Sequence, residues 1–179
     1  MRLYARGSFT GNYQPQGNES EADCVIGNEF AFRRDGFGNV NELLAEVVAE
    51  RYSRLSLMLN RNIAGALEII DSKIEPALIF SGESTNLTAT KGKGAWGELE
   101  QARDYMDEHG LERPIIVAQA YHVGRVALQA KRLGLNVIIP EGLPRVFDPE
   151  SMQLWSKGPI RMAIREAIGA PVLRHRGHL

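Results

Sequence analysis

One cysteine, Cys24, is all that the 179 residues contain. No intrachain disulfide can form, which fits a reducing compartment. Cys24 lies within an apolar stretch, so a buried structural thiol is expected rather than a reactive one, which needs exposure and positive neighbours. The chain also lacks an excess of either charge, with 21 basic and 22 acidic residues and a formal net charge of -1. That balance gives no electrostatic footprint for nucleic acid or for an anionic membrane, although it does not exclude a local basic patch. No apolar run approaches the ~20 residues that span a bilayer. The stretch from Met1 to Ser20 is polar and glycine-bearing, without the apolar centre of a secretion signal. The expectation is a cytoplasmic protein, with no nucleic-acid or membrane partner and with homo-oligomerisation left open.

Several catalytic signatures are missing as well. There is no Gly-x-Ser-x-Gly elbow, no CxxC pair and no HExxH motif. Lys91-Gly92-Lys93-Gly94 does not have the spacing of a phosphate loop and reads as a flexible loop or a lid. Gly36-x-Gly38 lacks the third glycine of the dinucleotide fingerprint and reads as a turn. His175 and His178 have no matched carboxylate or thiol pattern, so no metal site is expected.

What the chain does have is a moderate length, 44% hydrophobic residues and a clear alternation of patterns. One domain can bury a large core at this size. Residues 1–20 read as an irregular arm, with an edge strand conceivable over Arg2 to Phe9, and residues 21–179 as one α/β domain. Apolar runs predict strands at Ala22–Phe32, Ala77–Phe80, Pro114–Ala120 and Asn136–Pro140. A last short strand is expected at Pro171–Leu173. Helical spacing predicts helices over Val40–Ser53, Leu57–Asp71, Glu98–His109 and Val123–Leu133, with Asn39 or Asn41 as the first cap. Pro149–Gly169 reads as mainly helical, broken near Gly158-Pro159. Such alternation implies a Rossmann-like three-layer sandwich around a mostly parallel sheet.

In that architecture ligands bind beyond the carboxyl ends of the strands. The rule selects Gly27, Asn28 and Glu29 after the first strand. It selects Ser81, Gly82, Glu83 and Ser84 after Phe80, and Tyr121, His122 and Arg125 after the Ile115–Ala120 run. His122 and Arg125 are three apart and share a helix face near its N-terminus. Together they suit a phosphate, a carboxylate or a pyrophosphate, with a neutral His122 available as acid or base. The alternative is that His122 bonds a neighbouring loop and Arg125 pairs with a carboxylate. Glu98 and Gln101 share a helix face near the long loop, placed either to touch a ligand or to face water.

The strand followed by Tyr121-His122-Val123-Gly124-Arg125, then Lys131-Arg132-Leu133-Gly134 and Asn136 to Ile139, resembles the YdcF-like family, which includes the SanA and ElyC envelope proteins. Trp155, Pro159, Ala163, Glu166 and Gly169 look like its closing section. Arg61-Asn62 with Ala66, then Ile79-Phe80-Ser81-Gly82, resemble its upstream helix and strand. The likeness covers about residues 22–177 and is most specific over 113–169. Two departures stand out. Glu83 replaces a second glycine, and Ser84 to Gln101 fills a space where the family has two helical segments. The resemblance implies a polar cleft at the strand ends for a small anionic metabolite, with a nucleotide or S-adenosylmethionine as the suggested ligand. It implies His122 and Arg125 in the central role, as catalytic residues of a transferase or hydrolase. The shortened middle favours the alternative of a non-catalytic metabolite-binding or regulatory module. A third alternative is an interaction protein whose cleft is incidental.

Overall fold

Short runs of β-branched and long aliphatic residues, each too apolar to face water on either side, line up as a parallel sheet. A computed structural model describes residues 11–80, 94–175 and 177–178. The strands are β1 (Cys24–Gly27), β2 (Ser56–Leu59), β3 (Leu78–Ile79) and β4 (Pro114–Val117). Their order is β3-β2-β1-β4, and every pair is parallel. β1 and β4 are buried at every residue, which is what helices on both faces of a sheet require. The protein is therefore an α/β, Rossmann-like three-layer sandwich, as the alternation of patterns implies.

The helices are α1 (Asn39–Tyr52), α2 (Arg61–Ile70), α3 (Gly94–His109), α4 (Ala120–Arg132) and α5 (Pro159–His175). Right-handed crossovers place α1 and α2 on one face and α3 and α4 on the other. The contacts agree, since α1 packs on α2 and α3 packs on α4.

Three expectations change. The helix expected over Leu57–Asp71 is instead β2, a turn and α2. A four-residue strand buried on both faces shows no alternation, so its leucines merge with the helical spacing of Ile63, Ala66 and Leu67. Asn60 marks the true boundary, because its side chain accepts from Asn62 N at 2.9 Å and caps α2. The strand expected at Asn136–Pro140 contracts to single bridges, Ile138 parallel to Ile115 and Ile139 antiparallel to Gln16. Gln16 and Ile139 exchange both backbone bonds at 2.9 Å, so the irregular segment before β1 occupies that sheet edge. With the edge taken, Pro171–Leu173 has no strand to join and lies inside α5. The expectation for Arg2 to Phe9 falls outside the described residues. β3 is the other edge, and Ile79 is 49% exposed rather than buried.

The chain leaving β1 is held by buried polar side chains. Asn41 lies in the first turn of α1, and Gly38 takes the cap position without a side-chain bond. Asn41 Oδ1 accepts from Phe30 N at 3.0 Å, and its Nδ2 donates to Ala31 O at 3.2 Å and Phe37 O at 2.7 Å. The loop thus borrows its hydrogen bonds from a helix residue, and Ala31 adopts a φ of 88° there. Arg33 then donates to both oxygens of Asp148, at 2.7 and 2.8 Å. Gly38 (φ 83°) sits where a Cβ would meet Asp148 Oδ2 at 2.7 Å. Only a glycine admits both that backbone angle and that contact.

Replacing Asn41 by Ala leaves Phe30 N and Ala31 O buried without these partners. An unfolding free energy lower by about 2–3 kcal/mol is expected, read as a fall in melting temperature of about 5–10 °C.

Candidate functional site

β1 is the point from which the chain builds outward in both directions, with β2 on one side and β4 on the other. In doubly wound sheets the crevice forms there, beyond the carboxyl ends of the two diverging strands. The residues that follow β1, β2 and β4 are accordingly the ones to examine.

Gly27 ends β1, and a Cβ on it would meet Leu59 Cδ2 at 2.7 Å and Ile63 Cδ1 at 3.5 Å. Its glycine serves the approach of β2 and α2. Asn28 follows and is fully buried. Its backbone N donates to Val117 O at 3.0 Å, tying the end of β1 to the end of β4. Its Nδ2 donates to Glu98 Oε2 at 2.5 Å, while Asn60 Nδ2 donates to Glu98 Oε1 at 2.7 Å. A carboxylate from α3 is thus clasped by two amides at the ends of β1 and β2. Burial pushes its pKa upward, against the opposing pull of the Asn60 and Asn28 bonds. Asn28 Oδ1 is buried without a hydrogen-bond partner among the described residues. Glu29 accepts from Asn62 Nδ2 at 2.7 Å.

At the end of β4, Gln119 caps α4 by accepting from Tyr121 N at 2.8 Å. The helix therefore opens at Ala120, earlier than its apolar spacing suggests, and His122 sits in its first turn. Tyr121 packs on Phe147 with ring centroids 4.8 Å apart. His122 and Arg125 are both 5% exposed. Arg125 Nη2 lies 2.9 Å from His122 Nδ1, and Arg125 Nε donates to Glu166 Oε1 at 3.1 Å. Arg165 Nη1 donates to the same Glu166 oxygen at 2.7 Å, and its guanidinium lies over Trp155 at 4.9 Å. Half of the alternative reading is observed: Arg125 pairs with a carboxylate, Glu166 on α5, while the His122 ring bonds Arg125 and, among the described residues, no neighbouring loop.

This geometry fixes the state of His122. A guanidinium has only donors, so Nδ1 must accept and the ring proton must sit on Nε2. Burial, then the positive charges of Arg125 and Arg165, hold its pKa well below the ordinary 6.5. His122 is neutral and presents an Nε2–H donor. Two guanidiniums thus share the buried Glu166 carboxylate beside His122. Phe30 stands beside it, 6.0 Å from the His122 ring and 5.8 Å from Phe147.

The described residues thus bring together Asn28 with Glu98 and His122 with Arg125. Ser81, Gly82, Glu83 and Ser84 lie outside the described residues, as do Lys91 to Lys93 of the expected lid. Asn60 and Glu166 complete the two clusters without having been picked as ligand contacts from spacing. Asn60 is legible in Leu59-Asn60-Arg61-Asn62 as a helix cap, once a strand is seen before it. Glu166 is 41 residues from Arg125, and no local pattern links them.

No family model, curated protein or solved structure matches the chain.

Two substitutions probe the clusters. Glu98 has a raised pKa in the folded state, so its contribution is complete below its ordinary 4.5 and is lost as pH rises through the folded value. In Glu98→Gln that loss disappears. The melting temperature of the variant relative to wild type should climb as pH rises above 4.5. A flat difference would show that Glu98 titrates normally. Glu166→Ala leaves the buried Arg125 without its counter-charge and should cost about 3–5 kcal/mol in denaturant unfolding.

Proposed function

We propose that the protein binds a small metabolite through an anionic group, the phosphate of a nucleotide or the carboxylate of an S-adenosylmethionine-type ligand, at the ends of β1 and β4. The supporting observation is the pair of guanidiniums, Arg125 and Arg165, gathered on Glu166 beside the neutral His122 at the start of α4. Guanidiniums beside the positive end of a helix dipole favour an anion through charge. His122 Nε2–H adds a directed donor. The topological switch between β1 and β4 is where this architecture takes its ligands. The likeness of residues 113–169 to the YdcF-like family supports the same placement.

The role this gives His122 is binding rather than proton transfer. To act as a base it would have to become a cation between two guanidiniums. To act as an acid it would have to give up the proton of a neutral imidazole. Both are unfavourable, so the reading favoured here is a metabolite-binding module over a transferase or hydrolase.

The test is thermal unfolding with inorganic phosphate, adenosine mono- and triphosphate, and S-adenosylmethionine. Ligand at a hundredfold excess over its Kd stabilises by about 2.7 kcal/mol, an expected rise of about 5–10 °C for a chain of this size. His122→Ala, with its fold checked by circular dichroism, should lose most of the rise. No rise in the wild type with any of the four overturns the proposal. Turnover of a bound nucleotide that disappears in His122→Ala would establish the enzymatic alternative instead.

A further inference from the structure

Helix α5 carries an apolar face that nothing among the described residues covers. Ile160 is 75% exposed, Ile164 55%, Ile168 61% and Val172 43%. They are spaced four apart and form one ridge along the helix. The opposite face is the one that packs inward, through Met162, Glu166 and Gly169. Leu154, 65% exposed, lies in the 3-10 turn Leu154–Lys157 that leads into α5 and contacts it, so it extends the apolar surface at the helix start. Isolated exposed aliphatics are ordinary, but a contiguous ridge of branched ones marks a contact surface.

The charges around this ridge are one-sided. Residues 151–179 contain five Lys and Arg and one acidic residue, in a chain whose totals nearly balance. That acidic residue, Glu166, is 4% exposed and bound by Arg125 and Arg165. Arg161 and Arg174 are exposed, and helical geometry sets them on opposite flanks of the isoleucines. An apolar ridge between cationic flanks is the pattern of a helix that lies in a lipid–water interface, its aliphatic face among acyl chains and its cations among anionic headgroups.

A second copy of the chain fits this face less well. A specific dimer buries about 20–30 residues a side, far more than the few side chains of this ridge. Helix-to-helix pairing of two copies would also bring arginines against arginines. No helix among the described residues is long and apolar enough to cross a membrane, so the contact would be peripheral.

We propose that α5 docks the protein on anionic lipid surfaces through Ile160, Ile164, Ile168 and Val172, with Arg161 and Arg174 reading the headgroup charge. The surface is separate from the strand-end cluster, although Glu166 and Arg165 join the two through one helix.

Sedimentation with phosphatidylcholine vesicles, with and without about 30% phosphatidylglycerol, tests this directly. Binding to the anionic vesicles is expected, weakened by added salt and near background on the neutral ones. Ile164→Gln with Ile168→Gln should weaken it by about tenfold or more, and Arg161→Glu with Arg174→Glu by a comparable factor. All four positions are exposed or flanking, so circular dichroism should match wild type. Absence of binding to anionic vesicles overturns the proposal. So does binding that the isoleucine variant leaves unchanged. Elution of the wild type as a dimer that the isoleucine variant dissociates would assign the face to self-association and likewise overturn it.

Discussion

Strand β1 has no free edge and no free face. β2 and β4 pair with it on either side in parallel register, and the helices bury every one of its residues. The constraint does not stop at Gly27. Asn60 N donates to Gly27 O at 2.9 Å and Asn28 N donates to Val117 O at 3.0 Å, so the exits of the three strands are stitched together. Polar side chains placed just beyond such a strand cannot reach bulk water and must find partners within the protein. That is why Asn28, Asn60 and Glu98 form a closed set. It is also why Asn41, rather than solvent, satisfies the loop that follows.

The two polar clusters obey opposite electrostatics. Glu98 is an acid whose bonds come from neutral amides, so desolvation prevails and its proton is held more tightly. His122 is a base set among cations, so desolvation and repulsion act together and exclude its proton. Stability linked to Glu98 falls as pH rises above its ordinary range, whereas stability linked to His122 falls as pH drops below 6.5. Each group is biased toward its neutral form for a different reason.

The fold class was readable because the signals behind it are long and periodic. The apolar runs at Cys24–Ile26 and Pro114–Val117, and the helices over Asn39–Tyr52 and Gly94–His109, show it well. β2 was not readable, since four buried residues beside a helix carry no period of their own. The last expected strand failed for a non-local reason, the occupation of the sheet edge by Gln16. At the site, His122, Arg125 and Asn28 were legible from the rule that ligands meet strand ends. Their states were not. The tautomer of His122 follows from Arg125, and the charge on Arg125 is offset by Glu166 from another helix. Spacing locates such residues, whereas only packing decides which of them still have a donor or a charge to offer.

The bridge between Gln16 and Ile139 has a consequence for solubility. A parallel sheet buried on both faces still exposes unpaired backbone at its two margins, where another chain can add a strand. On one margin, among the described residues, β3 offers only Leu78 and Ile79. On the other, the segment before β1 runs antiparallel to Ile139 and occupies its backbone N–H and C=O groups. The irregular stretch at the start of the described chain thus covers backbone with which another strand could otherwise pair, a place that its polar, glycine-bearing composition does not announce.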